Sequence, residues 1–130
     1  MNAVCAGQGK AFTASSDRTI REWDTSTAEC LRIFAGHTAD VRAVTLCPEH
    51  GVLLSGGGDD TARRWDLATG ACATVFRGHT FRVSSVATQG GSVFTGSWDY
   101  TVRKWSLQDG EYQASYSEGR SRWDRCRHWA

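Results

Sequence analysis

A tryptophan that recurs at nearly constant spacing constrains the fold of this chain more than any other feature. Three segments align on Trp23, Trp65 and Trp105, which are 42 and 40 residues apart. Each of these tryptophans follows an aspartate by six residues, a threonine by four and an arginine by two. A fixed period of this length is typical of repeat architectures, in which each unit is one small supersecondary structure.

A glycine–histidine pair supplies a second marker with the same period. Gly36-His37 and Gly78-His79 are 42 residues apart, and each histidine lies 14 residues after the preceding repeat tryptophan. Two independent marker sets in one register are hard to reconcile with chance. The repeat is therefore a structural unit of about 42 residues.

The second repeat shows what one unit contains. Residues 41–46 and 61–67 alternate in polarity, residues 52–56 form an apolar run, and residues 71–76 end at the next glycine–histidine pair. Clusters of turn-forming residues separate these segments. No stretch shows a sustained apolar stripe at the 3.6-residue period of a helix. The pattern predicts an all-β fold with four short strands per repeat.

With these markers the chain resembles the WD-repeat (tryptophan–aspartate repeat) proteins over residues 3–118. The resemblance implies antiparallel four-stranded blades of a β-propeller, here an incomplete one of about three blades, since closed propellers typically have four to eight. The predicted units are a first blade truncated at its N-terminus (1–34), a second (35–76), a third (77–117) and a non-repeat tail (118–130).

The resemblance also implies a buried hydrogen-bond network that ties each blade together, from the histidine through a serine or threonine to the tryptophan, with the turn aspartate holding the histidine. Its members would be His37, Ser55, Asp59 and Trp65 in the second blade, His79, Thr95, Asp99 and Trp105 in the third, and Thr13, Asp17 and Trp23 in the first, which has no histidine. Serine, histidine and aspartate also form catalytic triads. A triad occurs once in an enzyme, whereas this set recurs, so no catalytic residue is predicted.

Turn side chains on the face that carries the glycine–histidine pairs, called the top face here, are the candidates for binding a partner. They are Ser16, Arg18, Asp40, Arg42, Gly58, Asp60, Arg82, Trp98 and Tyr100. Arginine, tryptophan and tyrosine carry much of the binding energy in protein interfaces. The alternative is that these are ordinary solvated turn residues.

Composition excludes several other classes of protein. Lys+Arg 15 against Asp+Glu 14 lacks the basic excess of a nucleic-acid or membrane-surface binder, and no apolar run reaches the roughly 18 residues of a membrane helix. No phosphate loop is present, and His50 and His128 show no ligand partners at metal spacing. We therefore expect no cofactor and no metal.

Five cysteines without a CxxC pair argue against a disulfide framework or a common zinc site. Cys5 and Cys47 are 42 residues apart, as are Cys30 and Cys72, so these four are expected to be small buried strand residues. Cys126 lies outside the register. This cysteine usage and the absence of a visible signal peptide indicate an intracellular protein, cytoplasmic or nuclear.

The function expected from the resemblance is a non-enzymatic protein–protein interaction scaffold, as a fragment or truncated isoform of a longer propeller. Its partners would be proteins or peptides, or further blades or a second copy that complete a ring. Three alternatives remain open. Arg18 and Arg42 resemble the phosphate-reading arginines of F-box substrate receptors of ubiquitin ligases, although Gly58 occupies the slot of a third arginine. The chain could also be a non-functional partial product, or contact RNA through the arginines of its tail.

Overall fold

The computed structural model describes residues 1–117, which form twelve β-strands in three sheets. Sheet 1 contains β1 (Ala3–Gly7), β2 (Lys10–Ala14), β3 (Thr19–Asp24) and β4 (Cys30–Ala35). Sheet 2 contains β5 (Val41–Cys47), β6 (Val52–Gly57), β7 (Ala62–Asp66) and β8 (Cys72–Phe76). Sheet 3 contains β9 (Val83–Gln89), β10 (Ser92–Ser97), β11 (Thr101–Ser106) and β12 (Tyr112–Ser117).

In each sheet the four strands lie side by side in chain order, and every pair is antiparallel. This architecture confirms the predicted all-β fold of three four-stranded blades. Consecutive strands can pair in this way because turns of a few residues connect them. Within the described residues, no helix is long and apolar enough to cross a membrane.

The turn between β5 and β6 is longer than its counterparts in the other two sheets. It contains a one-turn 3-10 helix (Pro48–His50), and Gly51 closes it in the left-handed conformation with φ 65°. Lys10 pairs with Asp24 in sheet 1 as Val52 pairs with Asp66 in sheet 2, so the two turns end at equivalent positions. The extra residues explain why the first two repeat tryptophans are 42 residues apart and the last two only 40.

One apolar cluster joins sheet 1 to sheet 2. From sheet 1 it receives Phe12, Ala14, Ile20 and Phe34, and from sheet 2 it receives Val41, Val44, Leu53 and Trp65. The rings of Phe34 and Trp65 pack in a T-shaped arrangement at a centroid distance of 5.7 Å. Because side chains alternate along a strand, these residues occupy one face of each sheet.

The other face of sheet 2 packs against sheet 3. This cluster contains Cys47, Val52, Leu54, Ala62 and Phe76 from sheet 2, with Val83, Val93, Trp105 and Leu107 from sheet 3. Phe76 and Trp105 lie 5.5 Å apart between ring centroids. Sheet 2 is therefore covered on both faces, and the burial of apolar surface between sheets is the main stabilising term.

Sheets 1 and 3 each keep one face that no other described sheet covers. On sheet 1 this open face presents Val4 and Ile33, which are 60% and 51% exposed. On sheet 3 it presents Val102 and Tyr116, which pair across β11 and β12 and are 40% and 50% exposed. The residues at the corresponding positions of sheet 2 are less exposed, because another sheet covers each of its faces.

The tight contact between sheets 2 and 3 leads to a testable expectation at Gly56. A Cβ atom added to Gly56 would lie 2.6 Å from Cγ1 of Val83 and 3.2 Å from its carbonyl oxygen. Because Val83 is fully buried, Gly56→Ala is expected to lower the free energy of unfolding by about 1–3 kcal/mol. Urea denaturation followed by circular dichroism measures this loss.

The matched control is Gly91→Ala, since a Cβ atom there meets no atom within 4 Å. Its free energy of unfolding should stay within roughly 0.5 kcal/mol of the parent. Equal losses in the two variants would show that crowding against Val83 is not the cause.

Candidate functional site

The polar residues expected to tie the blades together meet in sheet 2 as a continuous chain of hydrogen bonds. The indole Nε1 of Trp65 donates to the Ser55 hydroxyl at 2.8 Å, and that hydroxyl lies 2.7 Å from Nε2 of His37. Nδ1 of His37 lies 2.9 Å from a carboxylate oxygen of Asp59. Thr61 donates its hydroxyl to the other oxygen of Asp59 at 2.7 Å.

Sheet 3 repeats this arrangement. Trp105 donates to the Thr95 hydroxyl at 2.9 Å, Thr95 lies 2.6 Å from Nε2 of His79, and Nδ1 of His79 lies 2.8 Å from Asp99. The hydroxyl of Thr101 donates to Asp99. Two sheets with different neighbouring residues thus hold the same donors and acceptors at the same distances.

The order of donors and acceptors fixes the tautomer of the histidine. The Ser55 hydroxyl accepts a hydrogen bond from the indole N–H of Trp65, so its own hydrogen is left to donate to Nε2 of His37. The Asp59 carboxylate can only accept, so Nδ1 of His37 carries the ring proton. In this arrangement each donor of the network faces an acceptor.

Sheet 1 holds only part of the network. The Trp23 indole donates to the Thr13 hydroxyl at 3.0 Å, but the pair is only partly buried because it lies on the open face of the sheet. Asp17 is exposed; it accepts bonds from the hydroxyl and backbone N–H of Thr19 and forms an ion pair with Arg21 at 3.5 Å. No histidine completes the set among the described residues of this sheet.

The carboxylates of Asp59 and Asp99 are strongly held in their ionised form. Burial by itself would raise the pKa of Asp59, but hydrogen bonds from His37, Thr61 and the backbone N–H of Thr38 outweigh it and hold that pKa well below its usual range. The pKa of Asp99 is lowered in the same way, by bonds from Thr101, His79 and Thr80 that outweigh burial.

The geometry of this network is that of a structural element rather than of a hydrolytic site. Ser55 and Thr95 are fully buried, and each hydroxyl oxygen already accepts a hydrogen bond from an indole N–H. A catalytic nucleophile must reach a substrate, and its oxygen must be free to attack. These hydroxyls meet neither requirement.

A second group of side chains lies on the top face, where sheets 2 and 3 meet, and is named the Trp98 cluster. It consists of Trp98, Arg42, Arg82 and Phe81. The guanidinium carbons of Arg82 and Arg42 lie 4.5 and 5.5 Å from the Trp98 ring centroid, and the edge of one ring meets the face of the other between Phe81 and Trp98 at 5.8 Å. Trp98 is nevertheless 50% exposed.

The Trp98 cluster brings together three of the predicted top-face candidates and adds one that the sequence analysis missed. Asp40 is attached to it, because its carboxylate lies 2.8 Å from Nε of Arg42. Phe81 is not among the predicted candidates, although its position directly after Gly78-His79-Thr80 was a signal for it. It is 43% exposed and also lies beneath the Arg82 guanidinium, at 4.9 Å.

The remaining top-face candidates occupy the turns before β3, β7 and β11. Arg18, Asp60 and Tyr100 each follow the turn aspartate and have positive φ values of 75°, 68° and 68°. Ser16 shares a hydrogen bond with Asn2, and the backbone N–H of Gly58 donates to the Asp40 carbonyl at 2.8 Å. Arg18 lies on sheet 1, whereas Arg42 stacks on Trp98 of sheet 3, so the two arginines have different surroundings.

The expectation for the cysteines is wrong in two respects. Cys30 is exposed because it lies on the open face of sheet 1, while Cys72, its counterpart in sheet 2, packs partly against the core. Cys5 and Cys47 are not equivalent, since Cys5 pairs with Phe12 and Cys47 with Val52 across turns of unequal length. Burial raises the pKa of the Cys5 thiol to about 11.

The expectation that His50 has no ligand partner at metal spacing is also wrong. Nδ1 of His50 lies 3.4 Å from Sγ of Cys47, and a carboxylate oxygen of Glu49 lies 3.8 Å from the same sulfur. His128 and Cys126, like the rest of the predicted tail, lie outside the described residues.

The repeats match the family model described as "WD domain, G-beta repeat" over residues 28–66 and 70–106, more than half of the chain. The chain therefore belongs to the WD40 repeat family, whose repeats generally mediate protein–protein interactions. Its fold is similar to the crystal structure of the computationally designed Ika8 protein, with a TM-score of 0.81 and 25% sequence identity, over 88% of this chain and 36% of that one.

Two curated proteins of Schizosaccharomyces pombe (strain 972 / ATCC 24843) are similar to segments of this chain about as long as one repeat. The WD repeat-containing protein pop1 is 47% identical over 34 residues, which are 26% of this chain and 4% of that protein. An uncharacterized WD repeat-containing protein is 42% identical over 40 residues, or 31% and 11% of the two chains. The matched segments thus cover a small part of these relatives.

The network predicts a stability that depends on acid pH. The folded pKa values of Asp59 and Asp99 are lowered relative to the unfolded value of about 3.9, so their contribution is present above about pH 4 and is lost as the pH falls below it. At pH 7, Asp59→Ala is expected to lower the free energy of unfolding by about 1–3 kcal/mol. Urea unfolding at several pH values between 7 and 3 measures both effects.

Asp17→Ala is the matched control, because Asp17 occupies the same repeat position without a histidine partner and is exposed. It should cost less than Asp59→Ala, and the double variant Asp59→Asn with Asp99→Asn should flatten the acid dependence. A loss at Asp17 as large as that at Asp59 would contradict the role assigned to the buried network.

Proposed function

We propose that this chain is a non-enzymatic interaction scaffold that binds a protein or peptide through the Trp98 cluster. The observation that carries the proposal is a half-exposed tryptophan in a surface turn, with two guanidinium groups stacked close to its ring. Tryptophan and arginine are the residues most enriched among interface hot spots. Their stacking fixes the ring before a partner arrives, which lowers the entropic cost of binding.

The chemistry of the cluster favours a peptide that carries both an apolar or aromatic side chain and an acidic group. Trp98 and Phe81 offer ring surface, and the Arg82 guanidinium, which stacks on both rings, can donate hydrogen bonds to an acidic group. The partner could be an acidic peptide or a phosphorylated one, as in the substrate receptors of ubiquitin ligases. Asp40 already pairs with Arg42, which supports a singly charged acidic group more than a phosphate.

A binding experiment tests this proposal directly. A random peptide library selected on the chain should yield peptides whose affinity, measured by calorimetry, falls at least tenfold in Trp98→Ala, since an interface hot spot contributes about 2 kcal/mol or more. Binding should retain its strength in Tyr116→Ala, a substitution of an equally exposed aromatic residue outside the cluster. Phosphorylated and unphosphorylated versions of each peptide then separate the two kinds of acidic partner.

Two results would contradict the proposal. One is a set of selected peptides whose binding is unchanged by Trp98→Ala, and the other is binding that is lost equally in Tyr116→Ala.

The proposal places the scaffold inside the cell, in the cytoplasm or nucleus. The described cysteines Cys5, Cys30, Cys47 and Cys72 are all free thiols, which suits a reducing compartment.

We also propose that the open faces of sheets 1 and 3 are covered in the working protein by further blades or by a second copy of the chain, as expected for a fragment or isoform of a longer propeller. The open faces carry apolar residues at positions that are packed between sheets elsewhere in the fold. A four-stranded sheet of the same repeat fits such a face, because that is what covers both faces of sheet 2.

The 130-residue chain by itself is accordingly expected to associate at micromolar concentration. Sedimentation velocity should show species heavier than the 14.3 kDa monomer, and Ile33→Lys should shift the distribution towards monomer by placing a charge on the open face of sheet 1. Ala68→Lys adds the same charge on an exposed turn away from that face and should leave the distribution unchanged. A monodisperse parent monomer would contradict the expectation.

A further inference from the structure

The β5–β6 turn brings three different metal-ligating side chains together within four residues. The sulfur of Cys47, a carboxylate oxygen of Glu49 and a ring nitrogen of His50 all lie within 4.8 Å of one another. Thiolate, carboxylate and imidazole are the donors that zinc takes in proteins. None of the three belongs to the hydrogen-bond network or to the Trp98 cluster.

The separations between these atoms suit a tetrahedral ion. Zinc binds sulfur at about 2.3 Å and nitrogen at about 2.0 Å, so two such donors at the tetrahedral angle are about 3.5 Å apart. Sγ of Cys47 lies 3.4 Å from Nδ1 of His50 and 3.8 Å from the Glu49 carboxylate. Both separations from the Cys47 sulfur are therefore close to the donor spacing around a tetrahedral ion.

The backbone holds the donors in place before any ion binds. Cys47 is the last residue of β5, and it pairs with Val52 across the turn. Pro48 begins the 3-10 helix, and the N–H of Gly51 donates to the Pro48 carbonyl at 3.2 Å. Because strand pairing and this bond already define the turn, less conformational entropy is lost on binding an ion.

Burial differs among the donors in a way that suits a zinc site. Cys47 is only 2% exposed and packs in the apolar cluster between sheets 2 and 3, whereas Glu49 and His50 are exposed. An ion could therefore enter from solvent and keep its sulfur ligand shielded from oxidants. The shorter turns of sheets 1 and 3, Gln8-Gly9 and Gly90-Gly91, carry no thiol, imidazole or carboxylate.

We propose that Cys47, Glu49 and His50 bind a zinc ion, with water completing its coordination. On binding, the Cys47 thiol loses its proton to the buffer and its sulfur bonds to the metal as a thiolate. The ion would hold the β5–β6 turn in place at the end of sheet 2 that lies opposite the top face. This site is independent of the proposed peptide surface. Without an ion, the same contacts are weak thiol hydrogen bonds.

Cobalt(II) is the spectroscopic probe for this site, because a cobalt–thiolate bond gives a charge-transfer absorption band. The band disappears when zinc replaces the cobalt ion. The full chain is used with Cys126→Ser and His128→Ala as the background, so that the tail supplies neither donor. Cobalt should produce the thiolate band in the background protein, and added zinc should remove it. Calorimetry with zinc alone then gives the dissociation constant.

Three variants in that background decide the result. Cys47→Ser should abolish the band, and His50→Ala should weaken zinc binding at least tenfold while leaving the circular dichroism spectrum unchanged, since His50 is exposed. Cys30→Ser is the matched control, because Cys30 is an exposed thiol outside the cluster, and it should bind like the background. A folded background protein without a thiolate band, or loss of the band in Cys30→Ser but not in Cys47→Ser, would overturn the proposal.

Discussion

Within each of sheets 2 and 3, a chain of hydrogen bonds runs from an indole through a hydroxyl and an imidazole to a carboxylate and ties the strands to their turns. Its members come from different parts of each repeat: Trp65 from the third strand, Ser55 from the second, Asp59 from the turn between them, and His37 from the segment that enters the sheet. The bond between His37 and Asp59 therefore fastens the connection from sheet 1 onto the top edge of sheet 2. A buried network of this kind is stabilising only when every member is satisfied.

The candidate binding surface depends on this network although it shares no side chain with it. Phe81 and Arg82 follow His79 closely, and Trp98 directly precedes Asp99. The bond between His79 and Asp99 thus sets the separation of the two turns that meet in the Trp98 cluster. Loop residues that are positioned by a rigid scaffold in this way are those that proteins commonly use for recognition.

Most of the strands could be predicted from the sequence, because the pattern that marks each strand lies within a few neighbouring residues. The predicted segment 41–46 corresponds to Val41–Cys47, and 52–56 to Val52–Gly57, since polarity alternation and turn residues mark the ends of such strands. The polar network was predicted from the resemblance to the WD-repeat proteins, which the recurring tryptophan, aspartate and glycine–histidine markers carry. What failed was the register of Cys5 against Cys47, because the longer β5–β6 turn shifts one strand against the repeat.

Features that depend on neighbouring sheets could not be read from the chain alone. Cys30 and Cys72 have the same place in their repeats, yet only Cys72 has another sheet beside it. The stacking of Arg42 on Trp98 joins residues 56 positions apart, from two sheets, and no local pattern encodes it. The donor atoms around Cys47 converge because a 3-10 turn, rather than an extended strand, connects them.

The unequal covering of the three sheets also determines how the molecule comes apart. In a linear array of repeats, the free energy of unfolding is approximately the sum of the stabilities of the units and of the interfaces between them. Sheet 2 forms two such interfaces, whereas sheets 1 and 3 each form one within the described residues. The outer sheets can therefore open while the middle one remains folded, so that unfolding proceeds from both ends towards the centre. The backbone amides of β6 and β7 would then be the last to exchange with solvent, and the half-buried Trp23 would be released before Trp65.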